Sequence, residues 1–295
     1  MGRLWMALAA LLAASTVVGS PARAQPVSPR LATVHDFAFG LGLDPNDPSV
    51  LARLEGYDLV VLDGEVAKSA SVARLHAAGA IVLGYLSAGT IEPFRSWYPR
   101  LKPYRLHDRF KQFGEYYANV DARGFRRAIS RRIAPRLLDK GFDGLFLDNT
   151  DMVETHRGQR PGMRRLVRSL SHRVHRRGGL LFAQNGESSI ARTLRFYDGW
   201  NREDVTWTYS FKRDAYVHQP ASEIAEAQSA LRRIAARGLL VTATDYTAPS
   251  DDAALAEAVS NACSAGAIPF VSDIGLTRLP AAPLSCATPQ SAPNI

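Results

Sequence analysis

Eight short apolar runs, most of them separated by amphipathic segments, recur along the sequence from residue 33 onward. Several of the intervening segments end in glycine, as in "SVARLHAAG" and "IAPRLLDKG", and a glycine just past a helix supplies its left-handed C-terminal cap. Strands that alternate with helices in this way pair in parallel and are buried on both faces. The predicted strands cover residues 33–40, 57–64, 80–89, 144–151, 179–186, 196–204, 239–246 and 267–275.

Eight strand-helix units predict a (β/α)8 TIM barrel that forms a single domain over residues 25–280, followed by a tail over 281–295. A doubly wound open sheet is the rival architecture, and it usually carries a glycine-rich phosphate loop after its first strand. The segment "FGLGLD" (39–44) lacks the third glycine and the helix entry of that fingerprint. The pattern therefore favours the barrel.

The first 24 residues have the organisation of a secretory signal peptide. Arg3 forms a short positive region, residues 4–18 are apolar, and Ala22-Arg23-Ala24 is a small-x-small cleavage site. The apolar run is shorter than the ~20 residues that a bilayer span needs, and no later run approaches that length. We expect cleavage after Ala24, export to the periplasm or the extracellular space, and no stable membrane insertion.

Cysteine and histidine usage bears on redox state and metal binding. Cys263 and Cys286 are the two cysteines, and after export they either form one disulfide, tying the tail to the last helix, or remain free thiols. The cysteines lack metal-binding spacing and the seven histidines are scattered. The sequence therefore predicts neither a metal site nor a cofactor.

The formal net charge of +8 raises the question of a nucleic-acid partner. Arginines are densest in "RRAISRRIAPR" (126–136) and "RRLVRSLSHRVHRR" (164–177). In the second segment Met163, Val167, Leu170 and Val174 repeat at helical spacing, and the arginines fall largely on the other face. We interpret them as the solvated outer face of a helix, and expect no nucleic-acid partner.

The fourth predicted strand, in "GFDGLFLDNTD" (141–151), is apolar until it ends in carboxylates. The carboxyl ends of barrel strands share the rim that holds the active site. Like charges gathered there repel each other, so several carboxylates at one rim indicate a catalytic function. Single aspartates also cap turns, which is the alternative interpretation for Asp63 and Asp273. The polar residues predicted at this rim are Asp36, Asp63, Ser87, Asp148, Asn185, Glu203, Asp245 and Asp273.

A long, aromatic-rich connection over residues 90–121 follows the third strand, and loops of this size in compact domains are usually functional. Together with Trp200, Trp207, Tyr209 and Tyr246 it supplies rings on which a ligand can stack. Aromatic faces near paired carboxylates favour glycoside chemistry and a polysaccharide partner. The alternative is that the rings only fold the connection into a satellite core.

Three segments carry a resemblance to a known family: "GYLSAGTIEPFRSWYP", "YYANVDARGFRRAI" and "GFDGLFLDNTD". In this order they resemble the endo-α-1,4-polygalactosaminidase family, the glycoside hydrolase family 114 type of TIM barrel. The similarity runs from about residue 34 to 275. Its most specific parts are the fourth-strand motif and the turn Tyr85-Leu86-Ser87-Ala88-Gly89.

The resemblance implies an exported hydrolase acting on an amino-sugar or galactosamine-type polysaccharide, with a retaining two-carboxylate mechanism. Asp148 would be the nucleophile and Glu203 the general acid/base. Strand-end and aromatic residues complete the expected pocket. The substrate-binding residues that we expect are Asp63, Tyr85, Ser87, Asp151, Asn185, Trp200, Asp245 and Tyr246.

The strand-six segment "GWNREDVTWTY" departs from the family pattern, which has an apolar residue before the glutamate. Arg202 would lower the pKa of Glu203 if it turned inward, and Asp204 is an alternative acid, although it should point to the other side of the strand. A non-catalytic sugar-binding barrel is therefore the second hypothesis, and an unrelated metal-assisted barrel esterase is the third. The oligomeric state and the cleavage mode stay open.

Overall fold

The computed structural model describes residues 27–286, so the predicted signal peptide over 1–24 lies outside the described residues. Among those that are described, no helix is long and apolar enough to cross a membrane. The strands are β1 Phe37–Gly40, β2 Leu59–Asp63, β3 Ile81–Ser87, β4 Thr90–Ile91, β5 Arg105–Phe110, β6 Glu115–Ala118, β7 Gly144–Asp148, β8 Leu180–Gln184, β9 Gly199–Glu203, β10 Trp207–Ser210, β11 Ala215–His218, β12 Leu240–Tyr246 and β13 Ile268–Ser272.

Eight of these strands form one parallel sheet in the order β1-β2-β3-β7-β8-β9-β12-β13. The rings of Phe37 on β1 and Phe270 on β13 lie 5.8 Å apart inside the sheet, so its two edge strands meet and nearly close a barrel. All eight are strands that the apolar runs predicted, although each is shorter than predicted. The (β/α)8 barrel is therefore confirmed.

Helices cover the outside of the sheet, as the alternating pattern predicts. Their inward residues are buried; on the longest helix these include Met163, Val167, Leu170 and Val174. The outward arginines of that helix are mostly exposed, which agrees with a solvated face. The helices are α1 Pro48–Leu54, α2 Ser69–Ala77, α3 Tyr98–Leu101, α4 Arg123–Ala128, α5 Ala134–Leu138, α6 Arg160–His175, α7 Glu187–Ile190, α8 Ala221–Ala235 and α9 Asp252–Ser264.

Helix ends and connections follow local chemistry. Gly79 and Gly178, just past α2 and α6, have φ values of 96° and 70°, the left-handed conformation expected of caps. A π-helical turn, Ile129–Ile133, joins α4 to α5. Short 3-10 turns occur at Pro29–Leu31, Lys102–Tyr104, Lys111–Phe113, Thr150–Glu154, Arg157–Gln159 and Leu194–Phe196.

Two excursions leave the carboxyl rim of the barrel. The connection after β3 was expected to be a loop, but it folds into a three-stranded antiparallel sheet in the order β4-β6-β5. The second excursion is the β10–β11 hairpin, which follows β9. Both carry aromatic side chains onto the rim.

The disulfide alternative is the correct one. Cys263 on α9 and Cys286 in the tail are bonded, with Cα atoms 5.4 Å apart, and no free cysteine remains in the chain. The bond ties the tail to the last helix, as the sequence analysis anticipated.

Candidate active site

Parallel register gathers the carboxyl ends of β3, β7, β8, β9 and β12 at one rim. Ser87 lies opposite Asp148, and Glu203 lies opposite Thr244. Because side chains alternate along a strand, those of Phe146 and Asp148 point into the barrel with Tyr85. The Tyr85 hydroxyl donates to Asp148 Oδ2 at 2.6 Å, which places the β7 carboxylate in the barrel mouth.

Asp148 accepts four hydrogen bonds. Besides Tyr85, the donors are the Asn149 backbone N–H (2.6 Å), Asn149 Nδ2 (3.0 Å) and Gln184 Nε2 (3.3 Å). Asn149 has a left-handed backbone, with φ 56°. Burial raises the pKa of Asp148, and the hydrogen bonds from Tyr85 and Asn149 oppose that rise by stabilising the anion.

The turn Ser87-Ala88-Gly89 holds the loop after β7 in place. Ala88 N–H donates to the Asp148 carbonyl at 2.9 Å. A Cβ at Gly89 would overlap the Asn149 carbonyl oxygen, so this close backbone approach requires glycine. The residues that carry the family resemblance thus meet in space at the nucleophile candidate.

Glu203 is held by three side chains in the same mouth. Its Oε2 accepts from Gln184 Nε2 at 2.7 Å and from Asn185 Nδ2 at 2.9 Å, and its Oε1 accepts from the Tyr246 hydroxyl. Burial first, then the charges of Asp204 and Asp148, raise the pKa of Glu203 to about 8. The group is therefore protonated at neutral pH and can donate a proton.

One amide nitrogen links the two carboxyls. Gln184 Nε2 lies 2.7 Å from Glu203 Oε2 and 3.3 Å from Asp148 Oδ1, which holds these two oxygens within about 6 Å of each other. Sequence reasoning missed Gln184. The strand-end rule that selected Asn185 applies equally to its neighbour, which is the last residue of β8.

Trp200 does not line the pocket, contrary to expectation. It is completely buried, and its indole Nε1 donates to the Asn185 carbonyl at 2.8 Å. Glu203 and Asn201 point inward, so alternation sends Trp200 outward under the helices. Trp200 therefore fixes Asn185, whose backbone has φ 55°, and Asn185 in turn holds Glu203.

Asn201 is a second residue that the sequence analysis missed. It has no exposed surface. Its Oδ1 accepts from Thr242 Oγ1 (2.7 Å) and Thr244 Oγ1 (3.1 Å), and its amide lies 3.4 Å from Gln184 Oε1. This buried polar layer lies under Gln184 and orients the amide that bridges the carboxyls. The strand Gly199–Glu203 also contains Arg202 and Glu203, so its composition does not single out Asn201.

Ser87 and Asp63 are buried supports rather than open sugar contacts. Ser87 is 3 % exposed and hydrogen-bonded to Thr90, which donates to Glu115 at 2.5 Å. Asp63 takes two contacts, of 2.6 and 2.7 Å, from Arg95 Nη1. It also accepts hydrogen bonds from the backbone N–H groups of Glu65 and Val66, so it caps a turn, which was the alternative interpretation of this residue.

Arg95 was not predicted and neutralises two carboxylates. Its Nε and Nη2 donate to the two oxygens of Glu92 at 2.9 and 2.8 Å, while its Nη1 contacts Asp63. The guanidinium carbon lies 5.9 Å from the centre of the Tyr85 ring. Arg95 therefore braces the tyrosine that donates to Asp148.

Asp245 is also structural. It is 1 % exposed, and its Oδ1 accepts the backbone N–H groups of Thr206 (2.6 Å) and Trp207 (2.7 Å). Burial raises its pKa to about 7. Asp245 anchors the start of the β10–β11 hairpin, whereas its neighbour Tyr246 points inward and donates to Glu203.

Two further strand-end expectations are wrong. Asp36 precedes β1 and therefore lies at the opposite end of the barrel, where it accepts the Asp58 backbone N–H at 2.7 Å. Asp273 follows β13 at the expected rim but accepts from the Thr277 backbone and hydroxyl, the turn role that was its alternative. Sequence position within an apolar run does not show which residues the strand includes.

Asp151 is the carboxylate left open beside Asp148. It lies in the 3-10 turn Thr150–Glu154, and within residues 27–286 no other residue donates a hydrogen bond to its side chain. Burial, followed by the charge of Asp148, raises its pKa to about 7. A role of Asp151 in substrate binding stays a prediction.

Arg202 and Asp204 flank Glu203. Arg202 Nε lies 2.5 Å from Glu187 Oε1, so its charge is paired with another carboxylate and the pKa of Glu203 is raised, not lowered. Asp204 has a left-handed backbone, with φ 57°, and its charge is among those that raise the pKa of Glu203. In the described part of the chain, Asp204 Oδ1 is buried without a hydrogen-bond partner.

A row of aromatic rings joins the two rim excursions. Phe113, at the tip of the first excursion, meets Phe211, at the tip of the hairpin, with ring centres 5.5 Å apart, and both are about half exposed. Successive ring-centre distances along the row lie between 4.3 and 5.8 Å. The row consists of His156, Tyr117, Phe110, Phe113, Phe211, Tyr209 and Tyr216.

Solved structures share this fold. The glycoside hydrolase domain of PelA from Pseudomonas aeruginosa is 24% identical, with a TM-score of 0.73 over 85% of this chain and 98% of that one. Ega3 from Aspergillus fumigatus, solved as a complex with galactosamine, is 19% identical, with a TM-score of 0.66 over 83% and 93% of the two chains. No curated protein matches the chain in sequence.

The sequence model of glycoside-hydrolase family GH114 matches residues 19–287, which is nearly the whole chain. That range contains the barrel, both rim excursions and the two carboxyls joined by Gln184. The resemblance carried by the turn at Ser87 and the motif ending at Asp151 is thereby confirmed. The chain belongs to the glycoside-hydrolase family GH114, and it is a glycoside hydrolase.

Proposed function

We propose that this protein is an exported glycoside hydrolase that cleaves a galactosamine-type polysaccharide, with Asp148 as nucleophile and Glu203 as general acid/base. The observation that carries the proposal is the pair of inward carboxyls held by one amide, Gln184 Nε2. The two groups differ in environment, as a division of labour between nucleophile and acid requires.

The first step forms a bond between Asp148 and the anomeric carbon. As the glycosidic C–O bond breaks, the proton on Glu203 passes to the leaving oxygen, and the new chain end departs. In the second step Glu203, now ionised, takes a proton from water, whose oxygen attacks the anomeric carbon and releases Asp148. Hydrogen bonds from Tyr85 and Asn149 stabilise the carboxylate when it is regenerated.

The short distance between the carboxyls supports retention of configuration. Retaining glycosidases have carboxyl groups ~5–5.5 Å apart, whereas inverting ones need ~6.5–9.5 Å to admit a water. The Gln184 bridge limits the distance from Asp148 Oδ1 to Glu203 Oε2 to about 6 Å. This supports a covalent glycosyl-enzyme intermediate on Asp148.

The charge of the pocket favours a cationic sugar. Asp151 keeps a carboxylate without a donor from another described residue, and Asp204 keeps a buried oxygen without a partner. Arg95 is paired with Glu92, and Arg202 with Glu187, while the charge of Arg202 also acts on Asp151 and Asp204. One guanidinium thus faces three carboxylates, so an ammonium group on the substrate would add to their neutralisation, and Ega3, which shares the fold, was solved with galactosamine.

Export is supported by two features. Residues 1–24 have the organisation of a signal peptide. The Cys263–Cys286 disulfide is of the kind that persists in oxidising compartments. A polysaccharide outside the cytoplasm would then be accessible to the enzyme.

The test is release of reducing ends from a panel of polysaccharides that includes partly deacetylated galactosamine polymers. We expect release by the mature protein, a loss of about 10²–10⁴-fold in Glu203→Gln, and no turnover in Asp148→Asn. Glu223→Gln, an exposed change on α8, is the matched control and should keep full activity. Cleavage of neutral polymers only would contradict the proposed substrate, and full activity in Asp148→Asn would contradict the mechanism.

A further inference from the structure

A cavity of about 250 Å³ lies between α6 and α7, on the outer side of the barrel. Val153, Met163 and Ile190 supply apolar parts of its lining, and none of the lining residues is acidic. Three arginines, Arg160, Arg164 and Arg192, also line it. The proposed mechanism uses none of these residues.

The charges of these three arginines set the chemistry of the cavity. Within residues 27–286 none of them forms an ion pair, and the Nε of Arg160 donates only to the Val153 carbonyl, at 3.2 Å. On α6 Arg165 is paired with Asp121, whereas Arg168 and Arg173 form no ion pair with a described residue. The cavity therefore gathers three guanidinium groups, and the Glu154 carboxylate beside it accepts the Ser189 backbone N–H at 2.9 Å.

This arrangement is unfavourable for the helix that carries it. Arg160 and Arg164 lie one turn apart at the start of α6, and like charges at this spacing repel each other. The N-terminus of a helix also carries a partial positive charge, so two cations there oppose the helix dipole. An anion bound between the arginines would reverse both effects.

The apolar part of the lining indicates that the ligand also has an apolar body. Val153, Met163 and Ile190 are each about 4 % exposed and form a surface that inorganic ions cannot use. The volume is slightly below the ~300–1,000 Å³ of pockets for drug-sized ligands, so the ligand is small. An oxyanion on a compact apolar body fits both halves of the lining.

We propose that this cavity binds a small organic anion, one that carries a phosphate, sulfate or carboxylate on an apolar body. Arg164 and Arg192 hold the oxyanion by charge-assisted hydrogen bonds, and the apolar body packs on Met163 and Ile190. The site is distinct from the mouth of the barrel, because its lining includes neither of the two carboxyls there nor the side chains that donate to them. The inference does not depend on the proposed substrate.

The test is calorimetric titration of the mature protein at low ionic strength with phenylphosphate, inorganic phosphate and benzyl alcohol. We expect one saturable site for phenylphosphate, weaker binding of inorganic phosphate, and none of the neutral alcohol. The double variant R164Q R192Q should lose at least about tenfold in affinity. The control R168Q R232Q removes the same charge at exposed positions outside the cavity and should keep it.

A second measurement distinguishes a loss of binding from a defect in folding. Phenylphosphate should raise the unfolding midpoint of the parent and of the control but not that of R164Q R192Q. Equal loss of affinity in the two double variants would show that the net charge of the protein, and not the cavity, determines the affinity, and would overturn the proposal. Absence of saturable binding to the parent at millimolar phenylphosphate would also overturn it.

Discussion

At the residue scale, two buried carboxyls within one mouth have different neighbours. Asp148 collects four hydrogen-bond donors, which favour the anion. Burial first, then the charges of Asp204 and Asp148, raise the pKa of Glu203 to about 8, against the hydrogen bonds from Tyr246 and Asn185. Burial raises the pKa of both carboxyls, and neighbouring charges are among the causes for Glu203 only, which agrees with the proposed division between nucleophile and acid.

The pH dependence of catalysis follows from Glu203. Because the acid must be protonated, we expect kcat/KM to fall as the pH rises through about 8. Asp204→Asn removes a negative charge that raises this pKa, so the falling limb should move to lower pH. A pH-rate profile of the two proteins on one oligosaccharide checks this, and coincident limbs would show that Asp204 does not act on the acid.

Stability should depend on pH through the same group. Glu203 has a pKa of about 8 in the folded protein and an ordinary value of 4.5 in the unfolded chain. Between pH 4.5 and 8 the folded protein therefore binds a proton that the unfolded chain has lost, and the free energy of unfolding falls as the pH rises. Glu203→Gln has no such penalty. We expect its advantage in free energy of unfolding to grow from pH 5 to 8 and then level off, as measured by urea denaturation. A constant difference over this range would contradict the shift, with Glu223→Gln as control.

At the element scale, strand alternation and rim excursions assemble the site. On β9, Glu203 and Asn201 point inward while Trp200 points outward and holds the loop after β8 through the Asn185 carbonyl. On the rim, the sheet β4-β6-β5 and the β10–β11 hairpin meet through aromatic rings. Elements far apart in the chain therefore position the Glu203 carboxyl and the aromatic row.

Trp200→Phe tests the outward support. Loss of the indole N–H leaves the Asn185 carbonyl without this donor, so we expect the free energy of unfolding to fall by about 1–3 kcal/mol. Displacement of Asn185 should also lower kcat by about tenfold, because Asn185 orients Glu203. Denaturation and initial rates check both effects. Trp207→Phe, whose Nε1 contacts Glu257 on the surface, is the control and should keep kcat.

The aromatic row is expected to bind sugar units outside the catalytic subsite. Phe113 and Phe211 are 49% and 47% exposed, and Tyr117 in the same row lies near Asp151, whose charge acts on its hydroxyl. The double variant F113A F211A should lower kcat/KM for long galactosamine oligomers several-fold more than for short ones. Val66→Ala, an exposed apolar residue outside the row, is the control. Equal losses on long and short oligomers would contradict this role.

At the scale of the whole molecule, charge and chain closure are arranged separately from the site. The net charge of +8 comes from arginines that are mostly on the outer helices, whereas carboxyls gather at the mouth. Exposed charges more than ~8–10 Å away are screened by physiological salt, so a cationic polymer can approach an acidic mouth on a basic protein. The tail is secured by the bond between Cys263 and Cys286.

The disulfide closes a loop with a sequence separation of 23 residues. The loop-closure relation predicts that C263S C286S loses about 3 kcal/mol of stability. Thermal unfolding should show a lower midpoint, while the distant active site should keep its kcat. An unchanged midpoint would mean that the bond does not constrain the unfolded chain.

The sequence by itself determined the barrel, the polar rim and the family, because these depend on local periodicity and on short motifs. Eight apolar runs, glycine caps and the ordered segments around Ser87 and Asp148 are readable without knowing which residues meet. The tertiary structure decided which polar groups face the mouth. Asp63 is bound by Arg95, and Asp245 accepts backbone N–H groups at the start of the hairpin. Strand alternation turns Trp200 outward, and Gln184 joins the two carboxyls. These outcomes depend on partners distant in the chain, and burial and charge act only once the fold brings those partners together.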